Sequence, residues 1–250
     1  MQFVVAVVLA TVLCGGCSKT SGERVVRIGA ASDLAKAFTE LGKEFETRTG
    51  IRPEFTFGSS GLLSKQIAQG APYFLFAAAN KAFVDKVIEA GVCDGKTART
   101  YGRGRVVVWT AGGTPAPKQL SELTEPRFKR IALANPDHAP YGVAGKQALE
   151  KSGLWAQLES RIVLAENVQA TMLYARDGNA DAAIVALSLA VVSDGGAYLP
   201  IDQFLHDPLD QQLVVCGKGA EADAARKFAE LVASAEGREL MTRYGFVVPP

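Results

Sequence analysis

Apolar and polar positions follow one repeated order along this chain: a short apolar run, a small or hydroxyl-bearing residue, then apolar positions at helical spacing. Val25-Val26-Arg27-Ile28 leads through Ala30-Ala31-Ser32-Asp33 to Leu34, Ala37, Phe38, Leu41 and Phe45. Pro53-Glu54-Phe55-Thr56-Phe57 leads through Gly58-Ser59-Ser60-Gly61 to Leu62, Leu63 and Ile67. Tyr73-Phe74-Leu75-Phe76 leads through Ala77-Ala78-Ala79-Asn80 to Phe83, Val84, Val87 and Ile88, with Asn80 placed to cap the third helix. The unit recurs at Arg130-Ile131-Ala132-Leu133, where Pro136 and Pro140 precede Tyr141-Gly142 and a helix to about Ser152. It recurs again at Arg161-Ile162-Val163-Leu164, where Glu166-Asn167-Val168 opens a helix that stops at Gly178. Ala182-Ala183-Ile184-Val185 and Leu213-Val214-Val215 read as further buried strands.

Strands alternating with helices predict an α/β fold with mainly parallel sheets. Ligands of such folds sit beyond the carboxyl ends of the strands, where the helix N-termini gather. Here those ends carry Ser, Gly, Ala and Asn instead of an acid, base and nucleophile set. Each helix start offers unpaired backbone N–H groups and roughly half a positive charge, so several together make an anion receptor. The plainer reading is that these residues only cap their helices.

Composition adds limits. The 250 residues are 48% hydrophobic and 21% charged with net charge +1, so no basic excess points to nucleic acid. One large domain or two smaller ones both fit this length. Gln2 to Gly16 is uncharged and ends at Cys17. About 15 residues span roughly 23 Å as a helix, short of a ~30 Å hydrocarbon core, so an export signal is expected over 1–17. Gly15-Gly16-Cys17 resembles a lipoprotein processing site, which would put a lipid anchor on Cys17. Cys14 and Cys17 lack a second pair or a nearby His for a metal or redox site. With those two assigned to the signal, Cys93 and Cys216 remain; an oxidising compartment permits a bridge that sequence alone does not establish.

Enzyme motifs are missing. A nucleophile elbow around Ser60 would need glycine where Leu62 stands. His138 and His206 lie in Pro-flanked loops and read as surface residues. Gly102-Arg103-Gly104-Arg105 opens the apolar run Val106-Val107-Val108-Trp109 and reads as the solvated start of a strand. No zinc-protease, P-loop or EF-hand pattern occurs, and no cofactor is expected.

Taken in order, the loops resemble the molybdate-binding proteins of ABC importers across nearly the whole chain after the leader. Ala30-Ala31-Ser32-Asp33-Leu34 is similar to that family's first anion loop, and Phe57-Gly58-Ser59-Ser60-Gly61 with Gln66-Ile67 and Gly70-Ala71-Pro72 to its second. Asn135-Pro136 with Ala139-Pro140-Tyr141-Gly142, then Glu166-Asn167-Val168, resemble the next two. Gly178-Asn179-Ala180-Asp181 before Ile184-Val185-Ala186-Leu187-Ser188, and the closing Arg243-Tyr244-Gly245-Phe246, complete the series.

The resemblance implies a two-lobed periplasmic binding protein fold of type II, with two crossover segments. Lobe one is expected at 25–104 plus 214–250 and lobe two at 105–213. It implies an importer component that carries molybdate or tungstate to a membrane permease and its ATPase, as a monomer outside the cytoplasm. Ligand contacts are implied at Ser32 and Ser60 through hydroxyls and at Tyr141 and Val168 through main-chain amides, with Asp33 and Ala79 beside them. The Asp33 side chain is expected to turn away from the anion. Two departures stand out. Ala186 replaces a Tyr that reaches the anion in part of the family, leaving Tyr141 or Ser188 as substitutes. Phe74, Ala78 and Asn80 replace an Asp, a Ser and an Asp in the third loop. A carrier for another oxyanion such as sulfate or phosphonate, or a sensory protein of the same fold, remains the alternative. A ferric site would need more Tyr or His ligands than the loops offer.

Overall fold

The computed structural model describes residues 24–249, so the expected export signal over 1–17 and its Cys17 lie outside the described residues. The chain first lays down β1 (Arg24–Ala31), α1 (Ala35–Thr49), β2 (Ile51–Gly58), α2 (Ser60–Ala68), β3 (Leu75–Ala78), α3 (Lys81–Glu89) and β4 (Arg99–Gly104). It then crosses to β5 (Val106–Thr110), β6 (Ile131–Ala134), α4 (Pro140–Lys151), α5 (Trp155–Leu158), β7 (Ile162–Ala165), α6 (Val168–Arg176), β8 (Ala182–Ala186), α7 (Leu187–Ala190) and β9 (Ala197–Pro200). It returns through β10 (Leu209–Val215) and ends on α8 (Ala220–Ala233) and α9 (Ala235–Arg243).

Two sheets result, ordered β2-β1-β3-β10-β4 and β7-β6-β8-β5-β9. In each, three parallel strands carry the strand–helix units, and one reversed strand, β10 in the first sheet and β5 in the second, pairs antiparallel with both its neighbours, so β4 and β9 at the edges run the same way as the other three. Four of the five strands in each sheet thus share one direction, as expected, and each sheet is mixed through a single reversed strand, the one by which the chain enters from the other sheet. β10 belongs wholly to the first sheet. The return crossing thus precedes Leu209, earlier than the boundary at 213 read from the apolar Leu213-Val214-Val215.

Burial explains why these segments order. The central strands are buried along their length, with β3, β5, β6 and β8 buried at every position. Against the first sheet, Phe38, Phe45, Phe55 and Phe228 form a tilted and edge-to-face cluster at 5.3–6.1 Å between ring centroids. Each fully buried ring contributes roughly 1.5–3 kcal/mol of transfer free energy, with aromatic pairing adding to it. Beyond β3, Cys93 and Cys216 are joined in a disulfide that pins the end of α3 to the end of β10 across 123 residues. The α8–α9 pair, which carries much of this packing, was not read from the sequence; the described residues include no helix long and apolar enough to cross a membrane.

A candidate oxyanion site between the lobes

Four strand ends deliver their helix starts to one cavity. Its wall is made by Ala31, Ser32, Asp33, Gly58, Ser59, Ser60, Ala79, Ala139, Pro140, Tyr141, Asn167 and Val168, drawn tightly round a space of about 10 Å³. All six expected contacts therefore come together, and no Lys or Arg is among the lining residues. A larger surface groove of mixed charge lies between α1 and α9.

The helix starts at this cavity are left open. Ala31, Ser59 and Ala139 supply no side-chain cap to the turns they precede. Pro140 opens α4 with a ring that has no N–H to satisfy, and Tyr141 follows it. Asn167 caps α6, but only at Ala170 N (3.0 Å), which leaves Val168 at the open first position. First-turn N–H groups have no acceptor within their own helix and point outward with the positive end of the dipole.

The serine hydroxyls are oriented by what they accept. Ser60 Oγ accepts from Ala79 N at 3.0 Å, and Ser32 Oγ accepts from Gln169 N at 3.4 Å. Both serines are almost fully buried. A hydroxyl that accepts a main-chain N–H keeps its proton free to donate. Ala79 therefore lines the cavity with its N–H committed to Ser60, so it acts on the site through that serine.

Beneath the cavity lies a polar network that joins the lobes. Asp33 Oδ2 accepts from Tyr141 Oη at 3.0 Å and from Gln211 Nε2 at 2.6 Å. Tyr101 Oη donates to Gln211 Oε1 at 2.8 Å, and Ser188 Oγ donates to the Asp33 carbonyl at 2.7 Å. The Asp33 side chain is thus turned to Tyr141 and Gln211, and its Oδ1 is buried without a partner. Burial pushes the Asp33 carboxyl up to about 6, against the lowering effect of the Gln211 and Tyr141 hydrogen bonds. Burial first, then the Asp33 charge, raises both tyrosine hydroxyls well above their ordinary range and keeps them donors. Tyr141 and Ser188 are both engaged here, so neither hydroxyl replaces the donor that Ala186 lacks. Gly104 sits at the crossing because a Cβ there would lie 2.1 Å from Tyr141 Oη.

Sequence reading missed Gln211, Tyr101 and Ser59. The signal for Gln211 was present: Leu209, Gln211 and Leu213 share the buried face of β10, and a polar residue on such a face needs partners. The two histidines also differ from expectation. His206 is buried, with Nδ1 2.7 Å from the Asp207 carbonyl, because the return crossing folds under it. His138 is half-buried against Ser59 of the other lobe. Among the described residues no group of three His, Cys, Asp or Glu could hold a metal ion.

Comparison with known proteins agrees with this geometry. The sequence profile of the bacterial extracellular solute-binding proteins matches residues 26–247. The molybdate-binding protein ModA of Rhodobacter capsulatus is 29% identical over 242 residues, covering 97% of this chain and 95% of that one. The putative ABC transporter substrate-binding lipoprotein YvgL of Bacillus subtilis is 30% identical over 251 residues, covering 97% and 96%. The solved periplasmic molybdate-binding protein of Azotobacter vinelandii superposes with a TM-score of 0.84 at 28% identity, covering 90% of this chain and all of that one. The sulfate-binding protein SubI of Mycobacterium tuberculosis shares the fold at 14% identity and a TM-score of 0.74. The chain belongs to the bacterial extracellular solute-binding protein family.

Proposed function

We propose that this protein is the substrate-binding component of an ABC importer, and that molybdate or tungstate is held between its lobes for delivery to the permease and ATPase. One observation carries the reading: helix starts and serine hydroxyls from both lobes meet at a small cavity whose lining has no cationic side chain. The ModA relatives support the choice of anion. Ser32 and Ser60 donate hydroxyls, Tyr141 and Val168 donate main-chain amides, and Asp33 and Ala79 support them. The lobes divide at the crossings, as 24–104 with 209–249 and as 105–208.

Neutral donors are sufficient for a dianion. At ~1.5–3 kcal/mol for each hydrogen bond to a charged group, these four donors supply roughly 6–12 kcal/mol, a range that brackets the ~8 kcal/mol of micromolar binding. A cavity of donors also disfavours a ligand that must itself donate, as protonated phosphate does. Calorimetric titration tests this: molybdate and tungstate should bind at micromolar or tighter, and sulfate or phosphate at similar strength would overturn the assignment.

Location outside the cytoplasmic membrane follows from the family. Tethering through lipid on Cys17 is the finer reading, supported by the lipoprotein relative. Several acyl chains hold a protein firmly where one does not. Fatty-acid labelling that vanishes in Cys17→Ala is the expected result, and an unlabelled wild-type protein would rule the tether out.

A further inference from the structure

Ser59 occupies the N-cap position of α2, where a serine ordinarily accepts from the second or third N–H of its own helix. It does not do so here. Its hydroxyl donates to the carbonyl oxygen of His138 in the other lobe, at 2.5 Å. The Gly61 N–H, which such a cap would satisfy, donates to the same carbonyl at 3.0 Å. His138 Nδ1 lies 2.8 Å from Ser59 Oγ, and with the hydroxyl proton already committed, the ring nitrogen is the donor. The carbonyl is held in place by its own loop, since Ala139 N donates to the Asn135 carbonyl at 2.9 Å and Asp137 N to Asn135 Oδ1 at 3.0 Å.

The approach leaves no spare room. A Cβ on Gly61 would stand 2.6 Å from His138 O and 2.9 Å from its Cβ. Glycine at 61 is therefore what lets the two lobes meet at this point, beside the cavity that Ser59 and Ser60 line.

We infer that His138 is a positioning residue that latches the cleft shut, because it delivers to α2 from the opposite lobe the cap that the helix lacks on its own. Opening the lobes breaks three hydrogen bonds and takes from the Gly61 N–H the carbonyl that serves as its acceptor. Closing restores both at once. The latch acts on the ligand through Ser60, the next residue of the same turn, by holding that turn in register with the second lobe. It rests on the reading of the cleft as a binding site and adds what governs residence time there.

The test is stopped-flow fluorescence of Trp109 and Trp155 with molybdate, on the wild type, Gly61→Ala, His138→Ala and His138→Asn. Gly61→Ala, which wedges the lobes apart, should raise the dissociation rate about tenfold or more, equivalent to at least ~1.4 kcal/mol. Its association rate should stay within about twofold, as is usual when contacts formed after encounter are lost. His138→Ala should raise dissociation by a smaller factor, and His138→Asn should restore it, because the amide nitrogen can stand where Nδ1 stands. The melting temperature of the ligand-free variants should match the wild type, which a merely structural role would not allow. Unchanged dissociation in Gly61→Ala, or equal rates in His138→Ala and His138→Asn, overturns the latch alone. A wild-type protein that binds none of the four oxyanions overturns the functional reading and the latch with it.

Discussion

Helices α2 and α3 pack side by side in the first lobe, each nine residues long, and they begin in opposite ways. The start of α3 is closed: Asn80 Oδ1 accepts from Ala82 N at 2.9 Å, and the disulfide secures the far end. The start of α2 is open: its own N-cap serine reaches away, and Ser60 turns a hydroxyl to the cavity. In the sequence each follows an apolar strand with small polar residues, and Asn80 alone read as a cap. The difference teaches how to tell a structural helix start from a binding one. A binding start leaves its donors for a partner outside the helix, whereas a structural start satisfies them at home.

The largest effect expected on the α3 side comes from its disulfide. A link closing a loop of this length stabilises by roughly 4–5 kcal/mol in the chain-entropy picture. Cys93→Ser with Cys216→Ser should therefore lower the melting temperature by roughly 10–20 °C. Molybdate affinity measured well below that temperature should not change, and a large loss of affinity would show that the α3 side serves the site after all.

The cleft side carries the opposite kind of term, a cost. Asp33 is raised from 3.8 to about 6 on folding, so the folded chain holds its proton more tightly than the unfolded one. Stability linked to this group is fully present below pH ~4 and is lost as pH rises through ~6, on the order of 3 kcal/mol in all. Urea denaturation from pH 4 to 7 should show that decline in the wild type and a flatter profile in Asp33→Asn. An equally steep profile in the variant would assign the decline to other groups.

Next come the donors themselves. Ser60→Ala or Ser32→Ala removes a hydroxyl from a buried charged oxygen and should weaken molybdate binding by ~1.5–3 kcal/mol, about ten- to hundredfold. Melting of the ligand-free protein should fall by only a few degrees, the cost of leaving the Ala79 or Gln169 N–H without its acceptor. The smallest effect is the mirror case: Asn80→Ala should cost ~1 kcal/mol of stability and leave affinity intact. If the two serine variants lost stability and kept affinity, the contrast between α2 and α3 would collapse.

Much of this architecture was legible in the chain. Apolar runs at strand length marked β1, β2, β6, β7 and β8 within a few residues, whereas Ser32, Ser60, Tyr141 and Val168 were singled out by the resemblance of their loops to the molybdate-binding proteins. Burial of both sheet faces makes such runs continuous, which is why they stand out. β3 was read two residues early, at 73–76, because Tyr73 and Phe74 look like strand residues but lie before it and pack as partly buried rings. What stayed hidden was pairing at a distance. Gln211 meets Asp33 across 178 residues, and His138 meets Ser59 across 79. Local periodicity carries no trace of such contacts. The direction of β10 was hidden for the same reason, since a strand's polarity depends on the crossing that feeds it.

The lining without a cation also governs how the protein meets its ligand in different media. The reach of a helix start fades within about a turn, and the net charge of the chain is only +1. A dianion in solution is therefore neither drawn in from afar nor deprived of a screened long-range pull when salt is added. Capture is then expected to proceed by plain diffusional encounter, with a short-ranged grip formed between the lobes. Affinity and selectivity should then hold nearly constant from dilute to saline surroundings, which suits a receptor that works where the cell does not set the ionic strength.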